Sequence, residues 1–374
     1  MQALLNDLEQ YNLSRDTGFV PSQGSRTLPE YYRPWEDLVA TLPTTLQTPG
    51  SLHDDVISMP VLCVDHLDNE QDWQRAYVLL AYLVHAYCHG CHRNSVPLTL
   101  SEPFLKVCDH VGIEPVLSYA GLCLYNWAKD GTADVLEALR TQASFTGTLD
   151  EAAFYMTPVM VELSGGRLPA EMLQALVNAE KGRWETVALA LDSCAETLRL
   201  MTDALDGLKL CQPDVFYLQI RPYIAGIKVE FERRNSQPLK VDLAGGSAAQ
   251  SSLFQFLDHV LGVKHTNPLL NEMRAYIPRG HRQFLERTDS LPSLADLAEK
   301  GDAGPEILSK LHECRAAVKK WRDKHIAIVT RYIVLPAQAA ARKVNGQPAK
   351  VTGTAGSSPV LFLKEIRNDT LPTK

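Results

Sequence analysis

In 321-WRDKHIAIVTRYIV-334, His325, Ile328, Val329 and Tyr332 recur at helical spacing. That period predicts a helix turning one histidine inward with its aliphatic neighbours. A buried imidazole costs free energy unless its ring nitrogens find partners. Arg322 lies one turn earlier on the same face.

The same period extends outward from this stretch. Segments 170–210, 213–225, 247–262, 305–319 and 320–334 all place apolar residues at helical intervals, and no run shows sustained strand alternation. Residues 336–359, rich in Gly, Ala, Ser, Thr and Pro, read as a mobile loop. A terminal helix in VLFLKEIR should then dock on the body. A loop of that length between ordered helices is unusual and often functional.

Towards the N-terminus, 71-QDWQRAYVLLAYLVHAYCHGCH-92 predicts a buried helix, with further helices over 101–112, 115–129 and 133–143. The first ~50 residues are loop-like except for the amphipathic LPEYYRPWEDLVATLP. A boundary is expected at TGTLD (146–150), with Asp150 as the N-cap of the helix that follows. The expected fold is mainly α: a smaller, mostly helical N-terminal domain (1–147) and a large all-helical domain (148–374).

Composition excludes several roles. The chain of 374 residues is 45% hydrophobic with a formal net charge of -7. An acidic surface without a basic stripe argues against nucleic acid. No window approaches the ~20 apolar residues of a membrane span. The start, MQALLNDLEQYNLSRDTG, has neither a signal-peptide core nor an Arg-rich transit pattern, so a cytoplasmic protein is expected. Eight scattered cysteines in apolar segments read as reduced thiols.

Three local patterns could carry chemistry. CHGCH (88–92) matches the c-type haem attachment signature but closes a long apolar helix, with no export signal. A zinc set of Cys88, Cys91, Cys108 and His110 fits ligand spacing only in its first half. In 216-FYLQIRPYIAG-226, Arg221 sits among aromatics and needs an anionic partner, either Asp258 or a ligand carboxylate. On residue types alone His325 is more often a hydrogen-bonded core histidine. With Arg322 beside it, it could instead hold a haem iron while the guanidinium meets a propionate.

Taken in order along the chain, YYRPWEDLVATLP, GGSAAQSS (245–252), MRAYIPRGHRQFL, HIAIVTRYIV, and GTAG before a final FLK helix resemble the indoleamine 2,3-dioxygenase family, especially its fungal branch. The resemblance implies haem b between a small and a large domain, and insertion of both atoms of dioxygen across the indole C2–C3 bond of L-tryptophan, giving N-formylkynurenine. An electron donor would keep the iron ferrous. His325 would be the iron ligand, and Arg322 would pair with Asp258 on the propionate side. Gly246, Ser247, Ala248 and Pro158 would line the haem pocket. Arg221 would clamp the substrate carboxylate. Phe216, Phe154 and Tyr119 would cage the indole, and Thr354 and Gly356 would close over it, with Ala248 also facing substrate. Pro158 stands where the family usually has a small hydroxyl residue, and Ile227 where a tryptophan is typical. These departures motivate a second reading, a haem-based oxygen-binding or sensing protein on the same fold, or a related indole as substrate.

Overall fold

The computed structural model describes residues 1–24, 26–129, 139–301, 303–345, 353 and 359–371. Helix α1 (Arg33–Thr45) buries Trp35, Val39 and Leu42 against α2 (Glu70–His85). Asn69 starts α2 by accepting a hydrogen bond from the Asp72 N–H, and Glu70 and Asp72 place negative charge at its positive end. Every residue from Arg75 to His85 is buried, as expected for a helix that is apolar all round. Helix α3 (Leu98–Val111) lies along it.

Helix α4 (Leu149–Ser164) corrects one expectation. Its cap is Thr148, whose hydroxyl accepts from the Glu151 N–H at 3.2 Å. Asp150 is inside the first turn and accepts from the Gln212 N–H at 2.6 Å, so it ties two segments together rather than starting one. The periodic stretch 170–210 divides into α5 (Leu168–Glu180) and α6 (Trp184–Ala204). Gly182 makes the break at φ +69, a conformation costly for other residues.

Next come α7 (Ser252–Val260), α8 (Arg279–Asp289) and α9 (Gly304–Val329). The two helices expected over 305–319 and 320–334 are thus one long helix with a π-helical turn at Thr330–Val334, leading into α10 (Leu335–Asn345). The first part of the expected loop 336–359 is therefore helical. Its AQAAARK is built from strong helix formers, which the compositional reading overlooked. Residues 346–352 and 354–358 lie outside the described residues. Helix α11 (Pro359–Thr370) docks on α9, as its apolar pattern required.

Strands interrupt the helices: β1 (Ser95–Val96), β2 (Trp127–Lys129), β3 (Leu139–Thr141), β4 (Ile227–Phe231) and β5 (Leu239–Leu243). β4 and β5 pair antiparallel, Ile227 opposite Leu243, and β1 joins β4 in parallel. Residues 148–374, expected to be all-helical, therefore include a strand pair. IKVEF does alternate, burying Ile227, Val229 and Phe231, but five residues are too few to outweigh the helical period around them. The helix expected over 115–129 is likewise replaced by a π-helical turn (Ala120–Leu124) and β2; of that expected over 133–143, residues 133–138 lie outside the described set and Leu139–Thr141 form β3. Buried Asn126 ties the start of β2 to α2 and to the residues that follow β3. Its amide donates to Tyr82 Oη and the Ala143 carbonyl and accepts from the Gln142 and Ala143 N–H groups.

The buried apolar residues form two clusters. One gathers α1, α2, α3 and residues 208–231. The other gathers α5 to α9 together with Leu4, Leu5, Leu8, Leu13 and Phe19. Among the described residues no helix is long and apolar enough to cross a membrane.

Candidate active site

A cavity opens where the two clusters meet. Tyr119, Phe216 and Tyr332 line it from the first, Val161, Leu205 and Trp321 from the second. Its empty space, open mouth included, is ≈ 1410 Å³.

One wall is the C-terminal half of α9. His325 is half-buried there and lines the cavity, 5.1 Å from the Trp321 ring. Burial, aided by the Arg322 charge, lowers its pKa to about 4. The imidazole is therefore neutral near pH 7, the form that ligates metals. Among the described residues no hydrogen bond is made to its ring nitrogens, which leaves the imidazole to the cavity it lines. Arg322 is buried one turn earlier. It donates to Asp258 Oδ2 at 2.5 Å and to the Thr370 hydroxyl of α11. Burial alone would raise the Asp258 pKa, but Arg322 and His265 together hold it below the usual carboxylate range. An unpartnered neutral imidazole, an arginine one turn away and walls of Phe254, Ile328, Val329 and Leu363 fit an axially ligated, flat apolar macrocycle with anionic edges.

The opposite wall is assembled from separate segments. Phe154 and Pro158 come from α4, with Phe216 packed on Phe154 at 4.2 Å between ring centroids. Pro158 lies inside the helix, so the Phe154 carbonyl loses its usual donor. Arg221 lines the cavity with its guanidinium over the Tyr217 ring at 5.5 Å, and burial lowers its pKa somewhat. Of the two partners considered for it, Asp258 is excluded. That carboxylate meets Arg322 and His265 through Oδ2, while Oδ1 has no hydrogen bond among the described residues. Gly246, Ser247 and Ala248 complete this side. The neighbouring Gly245 allows a backbone crossing: an added Cβ would lie 2.2 Å from the Ile224 carbonyl oxygen.

Three π-helical turns, Ala120–Leu124, Phe216–Ile220 and Thr330–Val334, each present a lining residue: Cys123, Phe216 and Tyr332. Such turns widen a helix by one residue and often mark functional sites. Thr354 and Gly356 lie outside the described residues, but neighbouring Gly353 lines the cavity. Ile227 is buried at the start of β4 instead.

The other motifs do not form sites. Among the described residues no group of three or more His, Cys, Asp or Glu could hold a metal ion. His110 stacks on Trp73 at 3.9 Å and meets Glu70, so the proposed zinc set is not gathered. CHGCH spans the π-helical end of α2, with Cys88 buried and all eight cysteines free.

Comparison with known proteins decides the family. The indoleamine 2,3-dioxygenase family model matches residues 7–373. The chain belongs to the indoleamine 2,3-dioxygenase family. It is 34% identical to a 6-hydroxytryptophan 2,3-dioxygenase of Fusarium equiseti, over 99% of this chain and 98% of that one. It is 30% identical to the indoleamine 2,3-dioxygenase of Saccharomyces cerevisiae, over 98% and 93% respectively. Human indoleamine 2,3-dioxygenase 2 is 29% identical, over 97% and 94%. The chain is thus a dioxygenase of a haem-dependent family with a mainly α fold.

Within this dioxygenase, several residues that hold the cavity wall escaped the sequence reading. Glu162, 2% exposed, accepts from the Tyr119 hydroxyl at 2.9 Å and from Ser251 at 2.6 Å. Gln250 accepts from the Tyr119 N–H and donates to the Gly245 carbonyl. His85 reaches the same wall from α2. A glutamate on the apolar helix run FYMTPVMVEL was the one available signal, since a carboxyl there needs donors.

Proposed function

We propose that the protein binds haem b through His325 and cleaves the indole C2–C3 bond of L-tryptophan, or of a ring-substituted tryptophan, to the N-formylkynurenine-type product. The observation that carries this reading is that Arg221, the Phe154–Phe216 pair and His325 line one cavity. His325 would hold the iron, and Arg322, buried beside Asp258, would face the propionate side. When bound, the haem supplies the dioxygen chemistry.

The chain's own residues then do the positioning. Arg221 offers a fixed, charged fork that a carboxylate can meet bidentately. Phe154 and Phe216 give an apolar slot for the indole and exclude water from it. Tyr119 presents its ring to the cavity while Glu162 fixes its hydroxyl. Holding a substrate in near-attack geometry can lower a barrier by several kcal/mol without an acid or base. Residues 1–147 would act as the cap and 148–374 as the haem-binding body, with Thr354, Gly356 and neighbouring residues closing the mouth. That the Fusarium relative is a 6-hydroxytryptophan 2,3-dioxygenase supports a hydroxylated indole as the alternative substrate.

The second reading, an oxygen carrier or sensor, draws on Pro158 in the cavity wall. Haem-loaded, reduced protein should convert L-tryptophan or 6-hydroxytryptophan under oxygen into a formylated aromatic ketone, followed by absorbance and mass. Oxygen binding without product from either indole would favour the carrier.

A further inference from the structure

His85 is the last residue of α2 and is 0% exposed. Its Nδ1 lies 2.7 Å from the Tyr223 carbonyl oxygen, and its Nε2 accepts from the Leu117 N–H at 2.9 Å. A carbonyl only accepts and an amide N–H only donates, so the pair fixes one tautomer: Nδ1 carries the proton and Nε2 is bare. Burial lowers the pKa to about 3, so the ring stays neutral and keeps this pattern at working pH. Tyr223 is two residues beyond Arg221, and Leu117 two residues before Tyr119. One imidazole thus bridges two segments about a hundred residues apart, each carrying a cavity residue.

We propose that His85 is a positioning residue for the substrate, a strut that sets the Arg221 segment against the Tyr119 segment. The proposal rests on Arg221 being the carboxylate clamp. Its surroundings fit a spacer more than filler. Tyr77, two turns earlier on α2, donates to the Val116 carbonyl and accepts from the Ser118 N–H, so α2 already holds the Tyr119 segment. The Tyr223 ring stacks on Phe145 at 4.8 Å, which fixes the ring but leaves the carbonyl to His85. The Nδ1 bond therefore joins the Arg221 segment to a helix anchored elsewhere.

The test compares H85L, H85N, H85Q, R221L and the H85L/R221L double variant in haem-loaded protein. KM and kcat are measured with L-tryptophan, and substrate affinity separately by equilibrium dialysis. H85L should raise KM and Kd about tenfold with little change in kcat, as loss of a binding interaction does. H85N keeps an N–H donor near the Nδ1 position and should restore both to within about threefold, the scale of one recovered hydrogen bond. H85Q, which can replace only the Nε2 acceptor, should not. In the double variant the H85L effect should vanish, because residues acting through one another are not additive. Full additivity, or unchanged KM and Kd in H85L and H85Q, overturns the strut. Loss of haem loading in all three His85 variants overturns it as well, since the residue would then hold the fold. An R221L protein with unaltered affinity would instead sink the clamp itself, a separate failure.

Discussion

The two walls of the cavity are built in opposite ways. The wall carrying His325 belongs to one helix, where Trp321, His325 and Val329 follow one another at successive turns of α9. The facing wall draws Tyr119, Phe154, Arg221 and Gly246 from four segments. It is held by Glu162, Gln250 and His85 through hydrogen bonds to backbone and hydroxyl groups. The first wall is positioned by helical geometry and tolerates little rearrangement. The second depends on buried polar groups, each of which must be satisfied or costs free energy. On the proposed reading, metal ligation would fall to the first kind of wall and substrate recognition to the second, where small changes could tune specificity without disturbing the cofactor.

If that division holds, H325A should lose the haem altogether. The purified variant should show no Soret band after reconstitution with hemin, and no turnover. An unchanged pigment would remove the iron from this wall and end the comparison. Next in size is D258A, which leaves the Arg322 guanidinium buried without its carboxylate. With both side chains 7% exposed, breaking the pair should cost about 3–5 kcal/mol of stability, read from urea unfolding. A loss under about 1 kcal/mol would mean that Thr370 suffices for Arg322. R221L tests the facing wall. It should raise KM for L-tryptophan roughly 10- to 150-fold, about 1.5–3 kcal/mol, while the Soret band stays intact. Parallel loss of haem would make the arginine structural and erase the distinction between the walls.

The difference also explains what could be read in the sequence. His325 and Arg322 stood out because a helix records its inward face as a local period. The α fold, the terminal helix and the placing of Phe154 and Phe216 in one cavity were legible for the same reason, or through family motifs carried in order along the chain. The β4–β5 hairpin was hidden because five alternating residues cannot compete with a surrounding 3.6 period. The π-helical turns at 120–124 and 216–220 shift phase by one residue, which a regular template cannot register. His85 and Gln250 looked like ordinary interior residues. Their roles exist only because distant backbone groups arrive beside them, and that arrival is a property of the whole fold.

Glu162 gives the smallest and most selective test of the facing wall. Burial raises its pKa to about 7, although hydrogen bonds from Ser251 and Tyr119 pull in the other direction. The unfolded value is near 4.5, so between pH 4.5 and 7 the folded protein binds the extra proton. Stability therefore falls as pH rises through that window, and the full cost of the buried charge is present above it. E162Q keeps an acceptor for Tyr119 and Ser251 but never ionises. Each tenfold change in proton affinity is worth about 1.4 kcal/mol. The variant should thus gain about 1–2 kcal/mol relative to the parent between pH 5 and pH 6.5, with haem content unchanged at both. A pH-independent difference would mean that the carboxyl is already ionised in the fold and that the Tyr119 wall rests on a charge. A gain confined to high pH makes that wall a neutral hydrogen-bonded assembly, as distinct from the ion-paired wall of Arg322 and Asp258.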